Sequence, residues 1–168
     1  TTLDIYESIR HCYMMLENID KVPDITKEHY DTWRGEAYFL IAYYHHVLFD
    51  YYGPCVLIKN RVATDASQSE MFAMRSTADE CVDFICGMYD KAVELLPAKR
   101  IDAELNFASG AAAMGFKARI LLTDASPLYN GNTTMADFKN PDGVNLISQT
   151  YDAEKWKRAM DACDEAIH

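Results

Sequence analysis

The stretch that most constrains the fold runs from Thr26 to about Tyr52 and is closed by Gly53-Pro54. Thr26 supplies a capping hydroxyl for a helix start. Ala37, Leu40, Tyr44, Val47, Leu48 and Tyr51 then recur at helical spacing, and Phe39 and Tyr43 fill another side. A helix that is apolar on most faces is a buried helix, not a surface one. The rest of the chain has to cover it.

Other segments carry the same period. Ile5, Ile9, Cys12, Leu16 and Ile19 predict a helix over 2–20, ended by Lys21-Val22-Pro23-Asp24. Cys55 to Ile58 reads as a short extended segment, and 60–74 as a polar connector. Thr77 with Glu80 three residues on is a capping box. It opens a helix striped by Val82, Ile85, Tyr89, Ala92 and Leu96 and stopped by Pro97. After a loop over 99–108, a fourth helix starts near Ser109. Its stripe is small: Ala111, Gly115, Ala118, Leu122 and Ala125. Small residues let a neighbouring helix approach closely. Met114, Leu121 and Leu128 supply bulk beside them.

That helix stops abruptly at KARILLTDASPLYNG, 117–131. Pro127 disfavours helix at Ser126, and Asn130-Gly131 supplies positive φ for a turn. A Gly- and Asn-rich connection over 132–150 leads to a last helix, 152–168, with Trp156, Ala159, Cys163 and Ala166 on one face. Five helices and no strand pattern predict an all-α fold of tetratricopeptide-like helix hairpins, one domain over 1–168. The sequence reads as a piece of a longer protein.

Composition excludes several functions. A net charge of -10 repels phosphate backbones, so nucleic acid is not expected as a partner. No apolar run reaches the ~18–20 residues of a membrane helix. The five cysteines form no CxxC pair and read as small buried hydrophobes. His45 and His46 are adjacent and diverge by ~100° on a helix, so they read as core or interface histidines rather than metal ligands. Asp137 to Gly143 lacks the acidic spacing of a calcium loop and reads as turns. Asn132-Thr133-Thr134 matches a glycosylation triplet. No nucleophile elbow, P-loop or zinc-protease motif occurs. The many carboxylates read as solvated helix faces. No cofactor, no metal and no catalysis are expected.

Two long segments carry a resemblance. GEAYFLIAYY at 35–44, followed by YYGPCVLI at 51–58, resembles the "GEARFLRAYYYF…YYGDVPLI" signature of the SusD/RagB family. KARILLTDASPLYNG is similar to that family's "KARVLLYAASPLFNG", and AVELLP between them also fits. Tyr38 and Ile41 stand where the family has Arg, Pro54-Cys55 replaces Asp-Val, and Val56 replaces Pro.

The resemblance implies the helical N-terminal part of a nutrient-binding protein rather than an enzyme. It implies glycan or oligosaccharide capture at the outer-membrane surface of Bacteroidetes, by a lipoprotein whose lipid anchor lies outside this chain. The implied partner is a SusC-like TonB-dependent transporter. Tyr6, Trp33 and Arg61, near helix ends and loops, are the candidate ligand contacts. The rival expectation is a helical protein-interaction scaffold without a small ligand.

Overall fold

The computed structural model describes residues 2–61 and 73–168. Among them are five α-helices: α1 (Thr2–Asn18), α2 (Lys27–Tyr52), α3 (Ala78–Leu95), α4 (Gly110–Ala125) and α5 (Glu154–Ile167). Three short 3-10 turns lie at Ile19–Lys21, Asp102–Glu104 and Thr133–Met135, and no strand occurs among the described residues. Most of the connector expected over 60–74 lies outside the described residues.

The predicted caps do their work. Thr26 Oγ1 accepts from His29 N, Thr77 and Glu80 complete the capping box, and Ser109 accepts from Ala112 N. Each helix packs mainly on its neighbour in sequence, α1 on α2 through to α4 on α5. This is the all-α, tetratricopeptide-like stacking that the periodicity implied.

α2 has 26 residues and so runs about 39 Å. Ile41, Ala42, His45, Leu48 and Phe49 are buried along it. An aromatic knot joins it to α3 and α4. Phe116 stacks on Tyr89 at 6.1 Å, and Phe39 meets both edge-on at 5.9 and 5.8 Å. Each such pair adds ~0.5–1.5 kcal/mol beyond the area it buries.

Residues 55–58 pair with no strand. Ser76 N donates to Cys55 O at 2.9 Å, and side chains hold the rest. Tyr6 Oη donates to Val56 O at 3.1 Å and Tyr13 Oη to Ile58 O at 2.8 Å. His45 Nδ1 donates to Ile41 O at 2.8 Å, and its Nε2 accepts from Ile58 N at 3.2 Å. His45 is therefore a core histidine that clamps the segment leaving its own helix. Its partner His46, also buried, shares a 3.2 Å hydrogen bond between Nδ1 and Tyr89 Oη.

Four expectations need correction. On α2, Leu40, Tyr43 and Tyr51 are exposed, so the helix is covered on fewer faces than its composition implied. The small stripe of α4 is only partly its buried face: Ala118 and Ala125 pack inward with Ala113, Ile120, Leu121 and Asp124, while Ala111, Gly115 and Leu122 point outward. Small and bulky side chains share the face that packs inward. On α5, Trp156 faces outward, and Lys155, Ala159 and Ala162 are buried. Not every carboxylate is solvated: Asp124 is buried against Lys155, Nζ to Oδ1 2.9 Å, and the same Nζ reaches Asp79 at 2.5 Å. That ion pair joins α4 and α5, with α3 at its edge. Four cysteines are buried and Cys163 is half-exposed, with Cys55 and Cys81 sulfurs 4.0 Å apart.

The turn after α4 behaves as its sequence dictates. Ser126 is extended, at φ -66° and ψ 158°. Gly131 adopts φ 77°, and a Cβ there would lie 2.8 Å from Tyr151 N. The Asn130 side chain donates to Asp152 O at 2.8 Å and accepts from Asp152 N at 2.7 Å. It thereby ties the exit of α4 to the entry of α5. Over 137–145 the chain makes turns, with Gly143 at φ 88° and Asn140 N bonded to Val144 O.

Candidate functional site

A groove of about 650 Å³ opens between the first turns of α2 and the segment joining α3 to α4. Its geometry starts at Gly35. A Cβ on Gly35 would lie 2.8 Å from Leu96 Cγ and 3.1 Å from Leu95 Cβ. The missing side chain lets the end of α3 settle directly on α2. Pro97 then stops α3, and Pro97 O and Ala98 O accept from Gly110 N and Ala111 N at 2.9 and 3.1 Å. The intervening residues project as a loop whose two ends meet.

Arg100 holds that loop. Its Nε donates to Ala108 O at 2.8 Å, one terminal nitrogen to Glu104 at 3.0 Å and the other to Glu36 of α2 at 2.6 Å. The guanidinium also lies 5.9 Å from the Phe107 ring centre. Burial pushes the Glu36 carboxyl above its usual range, and Arg100 opposes that shift. Trp33 stands on the opposite wall. Its indole stacks on His29 at 5.5 Å with the planes 9° apart. Trp33 is 43% exposed, Phe107 56% and Ile101 72%.

The arrangement is suited to binding. Two exposed rings and several carboxylates line the same groove, and flat rings suit stacking against ring-shaped ligands. Among the described residues no cluster of three His, Cys, Asp or Glu side chains gathers as a metal site. No helix among them is long and apolar enough to cross a membrane.

The three candidate residues fall in different places. Trp33 lines this groove and also a smaller one, about 370 Å³, beside Met15 and Leu40. Tyr6 sits with Tyr52 and Arg75 beside a pocket of about 230 Å³. Burial raises its hydroxyl to about 12, and that hydroxyl is committed to Val56. Arg61 pairs with Glu17 on the surface at 2.7 Å. The structure does not bring the three together. Sequence reasoning missed Arg100, Glu36 and Phe107 as groove residues. The available signal was an Arg and an aromatic in a short loop directly after a Pro-stopped helix.

A family model described as "Starch-binding associating with outer membrane", of the SusD-like type, matches residues 3–122. The solved structure named BT4246 is 34% identical, with a TM-score of 0.90 over 98% of this chain and 28% of its own. A SusD-like protein from Bacteroides fragilis has the same fold at 23% identity and a TM-score of 0.72, over 98% of this chain and 26% of its own. A laminarin binding SusD-like protein shares the fold at 18% identity and a TM-score of 0.64, over 73% of this chain and 26% of its own. The chain thus spans little more than a quarter of the length of these relatives. No curated protein matches it. With most of the chain matched by the family model and a third of its residues shared with BT4246, the chain belongs to the SusD-like family.

Proposed function

We propose that this chain is the helical part of a cell-surface protein that binds a glycan or oligosaccharide for uptake. It captures ligand without chemistry and hands it to a SusC-like TonB-dependent transporter. The full protein is held at the outer membrane by a lipid anchor. The observation that carries the reading is the groove with Trp33 and Phe107 on opposed walls, in a chain whose family description is starch-binding. Trp33 is the central ligand contact. Tyr6 and Arg61 lie on other faces and are tested as separate contacts.

Affinity electrophoresis against a polysaccharide panel tests this directly. Retardation by at least one glycan is expected, lost in Trp33→Ala and kept in Arg61→Ala if the groove alone binds. Retardation unchanged in Trp33→Ala refutes the groove as the site.

A second reading has its own support. Leu122 on α4 and Trp156, Met160 and Ile167 on α5 are exposed apolar side chains, as a helical interaction scaffold would present. Silence across the panel, together with concentration-dependent association in sedimentation, would favour it.

A further inference from the structure

Resting on the groove reading above, we propose that the groove selects a neutral, hydroxyl-rich glycan and rejects glycans bearing uronate or sulfate. The argument is one of charge and hydrogen-bond supply. Four carboxylates line the groove, Glu28, Asp31, Glu36 and Glu104, against Lys99 and Arg100; Arg100 pairs with Glu36 and Glu104 and Lys27 with Asp31, so carboxylates still outnumber the cations around them. Arg100 would be the natural fork for an anionic sugar. Its fork is already spent on Ala108 O, Glu104 and Glu36, and its side chain is 7% exposed. Lys99 is the cation of the lining that remains.

An anionic sugar entering here gains no bidentate partner. It meets carboxylates within the ~8 Å over which charges act at physiological salt. A neutral sugar meets the opposite conditions. Its hydroxyls donate, and exposed Glu28, with the Glu104 oxygen that Arg100 does not hold, presents acceptors; such bonds to a charged acceptor are stronger than neutral ones. Its apolar ring face needs an aromatic plate. His29 stacks on the Trp33 indole and Arg100 lies against the Phe107 ring. Both rings are thereby oriented while staying exposed.

The test uses pairs of oligosaccharides of one linkage and length that differ only at C6, hydroxymethyl in one and carboxylate in the other. Calorimetry on the full 168-residue chain at low and high salt compares them. The neutral member is expected to bind about tenfold or more tightly than its acidic twin, with the gap narrowing as salt rises. The double variant Glu28→Gln with Glu104→Gln should narrow the gap at low salt; Gln keeps an amide oxygen that can accept from Arg100, whose bonds to Ala108 O and Glu36 also remain. Equal or tighter binding of the acidic twin overturns the selectivity and leaves the groove reading standing. A gap that the double variant does not change overturns its assignment to these carboxylates. Binding of neither member of any pair overturns the groove reading, and this inference with it.

Discussion

Acidification should loosen this fold through His45. The residue is fully buried, with Nδ1–H donating to Ile41 O and bare Nε2 accepting from Ile58 N. A second proton on Nε2 would set two N–H groups against each other and place a charge in the core. Burial accordingly lowers the imidazole from 6.5 to about 4. Unfolded chains take up that proton first as pH falls. Stability is therefore complete above the unfolded value and is lost between 6.5 and about 4. At ~1.36 kcal/mol per unit, the loss reaches about 2 kcal/mol near pH 5 and about 3 kcal/mol once both forms are protonated. Other groups also titrate, so the informative quantity is a difference. Urea unfolding followed by far-ultraviolet circular dichroism at about pH 7.5 and about pH 5 is compared for the parent and His45→Gln. The parent should lose about 2 kcal/mol more than the variant. Should the variant fold poorly, proton NMR of the parent gives the same answer: the His45 ring should keep its neutral shift at pH 5. Equal losses, or a ring titrating near 6.5, would refute the clamp.

Other consequences follow from the packing. Lys155→Met leaves Asp124 buried without its partner and should cost about 3–5 kcal/mol in urea melts, most of it restored by adding Asp124→Leu. Gly35→Ala forces a Cβ against Leu96 and Leu95 and should cost about 1–3 kcal/mol, with the groove opened as well. Tyr13→Phe removes the hydroxyl that donates to Ile58 O. It should cost about 1 kcal/mol and speed hydrogen exchange around Ile58.

Local chemistry made the helices legible. Thr26, Thr77 with Glu80, and Ser109 mark three starts, and Gly53-Pro54, Pro97 and Pro127 mark three stops, because caps and breakers act within a few residues. Where the local pattern was silent or misleading, the deciding partner was distant. Tyr13 and Ile58 are 45 residues apart, so nothing in residues 55–58 announces the side chains that hold Val56 and Ile58. Asp124 looks like any surface carboxylate until Lys155, 31 residues on, turns toward it. The inward face of α4 was misread for a related reason. Small residues permit close approach but do not require it, and Ile120 and Leu121 bury more apolar area than Ala111 and Gly115. Of the groove, only Trp33 was visible in advance. Arg100 reaches Glu36 across 64 residues, and that link aligns the loop carrying Phe107 with the helix carrying Trp33.

The central claim is that Trp33 meets the glycan, and the chain permits a direct optical test. It has two tryptophans, and Trp156 is an exposed residue of α5 that can be replaced by Phe. In Trp156→Phe the emission comes from Trp33 alone. Titration with a glycan that retards the chain should shift and saturate that emission at the affinity found by calorimetry. Binding by calorimetry with no change in Trp33 emission would contradict the account and move the site elsewhere on the chain.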